Sequence, residues 1–344
     1  MTVRPRPHLQ SVELSAHGGP DYAELRQLGI SPRELLDFSV NANPTQPPAE
    51  LQGLLASADV TTYPDSESWR VREAAAETYG IQPEQVLAGN GSSELIWLIC
   101  LAYVQPHNRV LVRQPTFGEY ERAARIHGAE VATFSTPLPN EAAALAFICN
   151  PNNPTGDCLP PSELVDLAIG QPSTLFVLDE AYADFVAGRP TAIGAAMPDN
   201  LIVLRSLTKF SALAGLRLGL AFAQPPVVRA LGKVKPPWNV NTLAQAAGAY
   251  AMHHRELLPD LNALATARQA LVQGLGSLGL KPLPTACNFF LVPVDDAAET
   301  RRRLLARRCL VRDCSSFGLP DHIRIAVRTS EENCRLVDAF AAIL

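Results

Sequence analysis

Short apolar runs alternate with helix-like segments along the first two thirds of the chain. The runs have the length of strands and lie at residues 86–89, 109–114, 145–149, 175–179 and 201–204. Segments such as Trp69–Tyr79, whose apolar residues recur at helical spacing, lie between them. Strands that alternate with helices are typical of α/β proteins, so the pattern predicts a mainly parallel sheet.

The pattern changes at Pro236–Asn241, where two prolines and a tryptophan interrupt it. The elements predicted beyond this break are a long helix at 242–275 interrupted at Pro259, strands at 289–292, 309–312 and 322–327, a helix at 297–307 and a terminal helix. Residues 1–44 are rich in proline and loop signals. We therefore predict a large domain at 45–241, and a smaller α+β domain at 242–344 that residues 1–44 join as an N-terminal arm.

The composition excludes several classes of protein. At 344 residues, with 47% hydrophobic and 18% charged residues, the chain can form two globular domains with a large core. A formal net charge of −5 lacks the basic surface that binds nucleic acid. The longest apolar run, Leu95–Val104, is too short to span a bilayer, and the N-terminus lacks an apolar signal segment. We therefore expect neither a nucleic-acid partner nor a membrane partner.

The cysteines and histidines indicate the compartment and the absence of a metal. Seven cysteines without C-x-x-C spacing are typical of free thiols in a reducing compartment, so we expect a cytoplasmic protein. The histidines show no metal-ligand spacing, and we expect no metal.

The stretch Leu201–Leu220 carries a candidate nucleophile. Lys209 follows the apolar run closely, and burial disfavours the charged form of a lysine, which frees its amine to attack a carbonyl. Such a lysine can form a Schiff base with an aldehyde. Arg217, eight residues further along, offers a planar set of donors suited to a phosphate. A surface lysine that ends a strand is the alternative.

Two other segments add an anion site and a buried acid. Gly89–Ser93 is a turn that opens a helix, where free N–H groups and the helix dipole favour an anion. Asp179 ends a buried strand, where a carboxylate needs a cationic partner. Between these segments, Asn150–Gly156 contains two X-Pro steps and must form a rigid turn.

Taken in order, these segments resemble the fold-type-I pyridoxal-phosphate (PLP) enzymes of the class I/II aminotransferase superfamily. The matching segments are Val86–Trp97, Asn150–Gly156 (N-P-N-N-P-T-G), Asp179–Tyr182 and Ser206–Gly219, in which S-L-T-K-F is followed by G-L-R-L-G. The resemblance spans essentially the whole chain. It implies a mainly parallel, seven-stranded-type sheet in a PLP-binding domain of the aspartate-aminotransferase type, with a smaller α+β domain.

The resemblance implies PLP as cofactor and Lys209 as the catalytic lysine. It places Phe117 on the pyridine ring, Asn153 and Tyr182 at the ring oxygen O3′, and Asp179 at the ring nitrogen, which it keeps protonated. The residues expected to contact PLP are Gly91, Ser92, Ser93, Phe117, Asn153, Asp179, Tyr182, Ser206, Lys209 and Arg217. Tyr63 is expected to reach the PLP phosphate of a partner subunit, which implies a homodimer with shared active sites.

The resemblance also implies a binding site for a small substrate. The residues expected to line it are His17, Gly18, Asn41, Arg312 and Arg324. Arg324 alternates with apolar residues along a strand and is expected to hold a substrate carboxylate, while Arg312 is expected to meet a substrate phosphate. Structural ion pairs are the alternative, for instance between Arg312 and Asp313.

Two families within the superfamily match the chain in different segments. His17–Gly19, Leu36–Pro44 and Pro237–Asn241 match threonine-phosphate decarboxylases, although Pro20 stands where that family usually has asparagine. The remaining motifs are shared with histidinol-phosphate aminotransferases. The sequence therefore predicts an enzyme acting at Cα of a small phosphorylated amino acid. The first expectation is L-threonine-O-3-phosphate decarboxylase of cobalamin biosynthesis, and the alternative is a histidinol-phosphate-type aminotransferase that uses 2-oxoglutarate and glutamate.

A function of a different class also has to be considered. Fold-type-I domains serve as effector-sensing modules in some transcription regulators, which carry an added helix-turn-helix arm. We expect no such arm because little chain precedes His17. The presence of Lys209 likewise favours an enzyme over a binding protein that has lost the cofactor lysine.

Overall fold

The computed structural model describes residues 3–344 except 5, 7, 8, 11, 136–138 and 140. The strands of this described part are β1 (Leu36–Asp37), β2 (Val86–Gly89), β3 (Arg109–Arg113), β4 (Glu130–Phe134), β5 (Leu145–Cys149), β6 (Leu175–Asp179), β7 (Leu201–Ser206), β8 (Gly219–Phe222), β9 (Phe289–Pro293), β10 (Cys309–Leu310), β11 (Arg312–Asp313) and β12 (His322–Ala326). The helices are α1 (Tyr22–Gln27), α2 (Ala49–Ala56), α3 (Trp69–Tyr79), α4 (Ser92–Tyr103), α5 (Glu119–Ile126), α6 (Pro161–Gly170), α7 (Leu207–Phe210), α8 (Pro225–Val234), α9 (Thr242–His253), α10 (Leu261–Ser277), α11 (Ala297–Leu305) and α12 (Ser330–Ala341). None of the helices in the described residues is both long enough and apolar enough to cross a membrane.

Seven strands form the central sheet, in the order β2-β8-β7-β6-β5-β3-β4. Parallel pairing joins five strands, in the sheet order β4-β3-β5-β6-β7. Strand β8 runs antiparallel to both of its neighbours, β2 and β7. Strands β5 and β6 are buried along their whole length, as expected for strands covered on both faces. The predicted fold, a mainly parallel seven-stranded sheet, is confirmed.

Helices cover both faces of this sheet. Alternate residues of β5 face opposite ways, so Ile148 joins one apolar cluster with α3, α6 and α9, and Phe147 joins another with α4, α5 and α8. Full burial of a large apolar side chain such as Phe147 contributes about 1.5–3 kcal/mol. The two clusters fix the sheet rigidly between the helix layers, and so fix the residues at its edge.

A smaller antiparallel sheet lies in the C-terminal part, with β12 between β9 and β11. Helices α10, α11 and α12 share one apolar cluster with it, and Phe38 from the N-terminal arm is fully buried in the same cluster. Strand β1 pairs in parallel with β10, which ties the arm to this sheet region. The boundaries 45–241 for the large domain, and 1–44 with 242–344 for the smaller one, stay a prediction.

Three predicted elements differ from the structure. The long helix predicted at 242–275 with an interruption at Pro259 is two separate helices, α9 and α10. Asp260 accepts hydrogen bonds from the backbone N–H groups of Asn262 and Ala263 and so caps a new helix after Pro259. The strand predicted at 309–312 is divided, because pairing passes from β1 to β12 at Val311. The segment Gly219–Phe222 is strand β8, which the apolar pattern did not separate from the preceding turn.

Candidate active site

A pocket opens at the carboxyl ends of the parallel strands, where β5, β6 and β7 end in Cys149, Asp179 and Ser206. We call it the lysine pocket. The residues that line it are Ser92, Ser93, Phe117, Tyr120, Cys149, Asn153, Asp179, Ala181, Tyr182, Ser206, Thr208, Lys209 and Arg217. Most of the predicted PLP contacts, which lie far apart in the sequence, therefore meet in one pocket.

Lys209 lies in α7, a single helical turn that follows β7 directly. Burial, followed by the charges of Arg324 and Arg217, lowers the pKa of Lys209 to about 8. Asn43 fastens the turn, because its backbone N–H donates to the Lys209 carbonyl and its side chain to the Phe210 carbonyl, both at 2.8 Å. The amine is thus held in place and is partly neutral near pH 8, as a nucleophile or a general base requires.

Asp179 ends β6 and is only 4% exposed. The Tyr120 hydroxyl donates to its Oδ2 at 2.7 Å, and the Ala181 backbone N–H donates to its Oδ1 at 3.0 Å. Burial raises the pKa of Asp179, and these two hydrogen bonds oppose that rise. Across the described chain, no cationic side chain lies within ion-pair distance of this carboxylate. A protonated ring nitrogen in the pocket would supply the missing cation.

Gly91, Ser92 and Arg217 form an anion-binding corner of the pocket. Helix α4 begins at Ser92, and no side chain caps the free N–H groups of its first turn. Gly91 has a φ of +83°, and a Cβ at this position would lie 2.7 Å from Nη2 of Arg217, so only glycine allows this approach. A Cβ at Gly219 would overlap the backbone of Ser92. The corner offers the N–H groups and the guanidinium that a phosphate needs.

Phe117, Asn153 and Tyr182 line the same pocket as the corner and Asp179. Arg324 donates to Oδ1 of Asn153, which leaves the amide N–H groups of Asn153 to donate elsewhere. Burial raises the pKa of Tyr182, so its hydroxyl keeps its proton and can act as a donor. Asn41 is buried beside Tyr182, and its role in substrate binding stays a prediction.

Arg324 is 4% exposed and lies next to the lysine pocket. Its guanidinium also donates to the Ser39 carbonyl at 2.5 Å, but its Nε has no hydrogen-bond partner. Burial lowers its pKa, and none of the carboxylates in the described residues lies within ion-pair distance of it. A buried arginine without a counter-charge is costly unless a ligand supplies an anion. An incoming carboxylate could pair with it in bidentate fashion.

A second pocket lies between the N-terminal arm and β10–β11, and we call it the arm pocket. Its lining includes His17, Gly18, Ser39 and Arg312. Arg312 donates to the His17 carbonyl at 2.6 Å, to the Ala16 carbonyl at 2.8 Å and to the Ser316 hydroxyl at 2.7 Å. Ser39 connects the two pockets, because its carbonyl accepts the hydrogen bond from Arg324.

The alternative interpretation of Arg312 as a structural ion pair finds no support. No ion pair joins Arg312 to Asp313 or to another carboxylate of the described residues. By contrast, Arg328 does have a structural role: it donates to Glu332 at 2.7 Å and to the Asp37 carbonyl at 3.1 Å, and so holds β1 against the start of α12.

Tyr63 lines neither pocket. It is 78% exposed and stacks on Trp238, with ring centroids 4.5 Å apart and planes inclined by 25°. Its ring thus lies outside the lysine pocket of its own chain. Its predicted contact with a cofactor therefore depends on a second subunit and stays a prediction.

Sequence reasoning missed two residues that shape the lysine pocket. Tyr120 holds Asp179, and its hydroxyl comes from α5, 59 residues earlier in the chain. The two residues are close in the sequence, because Tyr120 stands three residues after Phe117, and their rings lie 5.6 Å apart, centroid to centroid. Asn43 holds the Lys209 turn through contacts that span 167 residues, and no local pattern could have indicated them.

The donor set of the lysine pocket fits PLP. The corner at Arg217 would take the phosphate, Asp179 the ring nitrogen, Asn153 and Tyr182 the ring oxygen, and Lys209 the aldehyde carbon. No cluster of three histidine, cysteine, aspartate or glutamate side chains suited to a metal occurs in the part of the chain that the structure describes.

Comparison with known proteins shows similarity along nearly the whole chain. The model of the family "Aminotransferase class I and II" matches residues 33–340. A histidinol-phosphate aminotransferase from Symbiobacterium thermophilum is 38% identical, over 93% of this chain and 92% of that protein. Another, from Moorella thermoacetica, is 34% identical, over 98% of this chain and 92% of that protein.

Solved structures share the fold. A histidinol-phosphate aminotransferase from Sinorhizobium meliloti in complex with pyridoxal-5′-phosphate superposes with a TM-score of 0.86 at 23% identity, and the match covers 100% of this chain and 99% of that one. An L-threonine-O-3-phosphate decarboxylase from Porphyromonas gingivalis gives a TM-score of 0.80 at 25% identity, covering 89% of this chain and 98% of that one. Both sequence-based expectations thus have structural neighbours. The two relatives compared by sequence above are both named histidinol-phosphate aminotransferases.

Proposed function

The chain belongs to the aminotransferase class I and II family of PLP-dependent enzymes, and on that premise we propose that it is an aminotransferase of the histidinol-phosphate type. It would transfer an amino group between a phosphorylated amine and a 2-oxo acid such as 2-oxoglutarate. The observation that carries the proposal is the pair Arg312 and Arg324, two largely buried cations that lack a carboxylate partner among the described residues, with Arg324 close enough to Lys209 to lower its pKa. The names of full-length relatives support the same substrate class.

The residues of the lysine pocket would divide the work as follows. PLP, when bound, supplies an aldehyde that captures an amine and a ring that withdraws electrons from Cα. Asp179 would keep the ring nitrogen protonated, and Asn153 and Tyr182 would orient the ring oxygen. Lys209 would take the proton from Cα and return it at a neighbouring carbon, and a pKa of about 8 suits proton transfer near neutral pH.

Two anion sites suit an enzyme with two alternating substrates. Glutamate carries two carboxylates, and histidinol phosphate carries one phosphate. Arg324, which lies next to Asn153, would pair with the α-carboxylate of glutamate. Arg312 would pair with the distal anion of either substrate, because its planar guanidinium accommodates both carboxylate and phosphate.

Threonine-phosphate decarboxylase is a second candidate function. The observation that favours it is the N-terminal arm, because the His17–Gly19 segment matched by that family lies against Arg312 and Ser39. Threonine phosphate carries a carboxylate and a phosphate on one small molecule, so it could engage both arginines at once. Which bond of Cα breaks depends on which bond stands perpendicular to the PLP ring, and pocket shape decides that orientation.

One pair of assays separates the two candidates. Purified enzyme loaded with PLP is incubated with histidinol phosphate plus 2-oxoglutarate, and separately with L-threonine O-3-phosphate. We expect glutamate to form in the first reaction and no carbon dioxide in the second, with Lys209→Ala as the inactive control. Release of carbon dioxide without glutamate formation would establish the decarboxylase instead, and inactivity in both assays would refute the proposal.

Truncation of Arg312 tests the distal anion site. Arg312→Ala should raise KM for the phosphorylated amine by about tenfold to a hundredfold, as expected when a hydrogen bond to a charged group worth about 1.5–3 kcal/mol is lost. The unphosphorylated alcohol should respond much less, because it presents no anion to this site. KM is measured for both substrates by steady-state kinetics. An equal rise in KM for both would mean that Arg312 only holds the N-terminal arm and does not bind the phosphate.

We further propose a homodimer in which Tyr63 completes the partner's active site. Tyr63 and Trp238 form an exposed aromatic stack, and exposed aromatic rings of this kind are common at protein interfaces.

All seven cysteines lie within the described residues and are free thiols, which supports a reducing, cytoplasmic location.

Mixed dimers test this assembly. Tyr63→Ala and Lys209→Ala should each be strongly impaired alone. When their subunits are exchanged, one site of each hybrid combines an intact Lys209 with an intact Tyr63, so activity should return in part. Activity is measured after subunit exchange has been verified by native mass spectrometry. Verified hybrids that stay inactive would exclude a shared site.

A further inference from the structure

Glu119 is a buried carboxylate that the chemistry above does not use. It is the first residue of α5, two positions after Phe117, and only 3% exposed. Trp97 donates to its Oε2 at 3.1 Å, and Arg122 donates to Oε1 at 3.2 Å. These contacts lie within the large sheet region, and they leave acceptor capacity on Oε1 free for another donor.

The other contacts of Glu119 come from the N-terminal arm. Nε2 of His17 lies 3.3 Å from Oε1 of Glu119, and the Ser15 hydroxyl also bonds to this carboxylate. Gly118 allows this approach, because a Cβ there would lie 3.2 Å from the Ser15 hydroxyl oxygen. Burial opposes ionisation of Glu119, but the hydrogen bonds from His17, Trp97 and Ser15 and the charge of Arg122 outweigh it and lower its pKa to about 2. The carboxylate is therefore ionised at all physiological pH values.

The same short segment, residues 15–19, is fastened on its other side to the smaller sheet region. Arg312 donates to the Ala16 and His17 carbonyls, and the Gly19 backbone N–H donates to the Ser39 hydroxyl at 2.7 Å. A Cβ at Gly18 would overlap the Ser39 carbonyl, so glycine at this position allows the backbone of residues 15–19 to lie directly against Ser39. We call residues 15–19 the arm clasp. It joins α5 to Arg312 directly and to Arg324 through Ser39.

The clasp also contacts the wall of the lysine pocket. The His17 ring lies 5.8 Å from the Phe117 ring, centroid to centroid, and Phe117 lines that pocket. Since the imidazole is half exposed, packing alone does not hold it in place. Its fixed partners are Glu119 on one side and, through the His17 carbonyl, Arg312 on the other.

We propose that Glu119 is a positioning residue for substrate binding, which holds the arm clasp through His17 and thereby fixes Arg312 and Ser39 in the arm pocket. The inference rests on the proposed function, because it assigns substrate binding to Arg312 and Arg324. Glu119 itself touches neither the cofactor pocket nor the reacting atoms. Its loss should therefore weaken substrate binding and leave the chemical step nearly unchanged.

Kinetics of the loaded enzyme give the first test. Glu119→Gln keeps the shape of the side chain but removes its charge. It should raise KM for histidinol phosphate about tenfold, as expected when one hydrogen bond to a charged group weakens, with kcat little changed. His17→Ala removes the same contact from the exposed side and should give the same result if Glu119→Gln does not fold. The double variant should be no worse than either single variant, because both remove one shared interaction.

Hydrogen exchange gives a second test that needs no turnover. In the PLP-loaded enzyme, Glu119→Gln and His17→Ala should speed exchange of the Gly19 amide, which the clasp protects through Ser39. Glu121→Gln is the matched control, because Glu121 lies on the same helix and pairs with Arg125 at 2.8 Å rather than with the arm. Loss of kcat at unchanged KM, additive effects in the double variant, or unchanged Gly19 exchange would overturn the proposal. Inactivity of the unaltered chain towards histidinol phosphate would refute the proposed function alone. The difference in Gly19 exchange between Glu119→Gln and the Glu121→Gln control would still test whether Glu119 holds the clasp.

Discussion

Lys209→Ala should lower kcat by at least about 10²- to 10⁴-fold, the usual contribution of a positioned acid–base group. The loss follows from geometry, because in the described structure Lys209 is the only lysine that lines the pocket between Asp179 and Arg217. PLP bound to the unaltered enzyme should show a visible absorbance that depends on Lys209, and the variant should lack that absorbance. It can still bind PLP through Arg217 and Asp179, so cofactor content has to be measured separately. Retained steady-state turnover in a preparation free of wild-type protein would contradict the mechanism.

The lowered pKa of Lys209 gives the same prediction a pH dependence. Only the neutral amine attacks an aldehyde, and the amine loses its proton as pH rises through about 8. The rate at which cofactor-free protein captures PLP should therefore rise with pH and level off above that value. Lys209→Arg is the control, because it retains the positive charge without a nucleophilic amine. A capture rate that keeps rising up to the ordinary lysine pKa would show that burial does not tune this amine.

The extent to which the fold could be predicted follows from the strength of the apolar pattern. Strands β5 and β6 match the predicted runs residue for residue, because they are buried on both faces and contain almost only apolar residues. Strand β8 is also buried, but it follows the glycine-rich turn of Arg217 so closely that its start could not be seen. The helix predicted at 242–275 was expected to be interrupted at Pro259, and the structure has two separate helices there because Asp260 caps a new one.

The site could be predicted where each residue has its own local signal. Asp179 ends a strand, Lys209 and the Gly91 turn each follow one, and the carboxyl ends of parallel strands meet at one sheet edge. The contacts that hold these residues carry no such signal. Arg312 reaches the His17 carbonyl across 295 residues, and Glu119 reaches the same histidine from the opposite side. Contacts of this kind depend on how the two sheet regions pack, which periodicity does not determine.

Asp179→Asn should lower kcat/KM by about 10²- to 10⁴-fold, because removing one partner of a buried ion pair costs about 3–5 kcal/mol. The amide has the shape of the carboxylate: its oxygen can accept from the Ala181 backbone N–H, and its NH2 can donate to the Tyr120 hydroxyl oxygen. What it lacks is the charge that would keep a ring nitrogen protonated. Unfolding temperature and PLP content should therefore stay close to those of the wild type, and both are measured to exclude misfolding. Activity comparable to wild type in the Asn variant would remove Asp179 from the mechanism.

Tyr120→Phe tests the support of the same carboxylate. Burial raises the pKa of Asp179, and the Tyr120 hydroxyl is the first of the hydrogen bonds that oppose the rise. Without that hydroxyl the pKa should rise further, so the ionised form that activity needs is lost at a higher pH as the solution is acidified. At neutral pH the loss should be smaller than in Asp179→Asn, about tenfold to a hundredfold for one hydrogen bond to a charged group. The acid limb of the kcat/KM profile should move to higher pH in Tyr120→Phe, whereas in Asp179→Asn that limb should disappear. An acid limb that stays in place when Tyr120 loses its hydroxyl would mean that another group sets it.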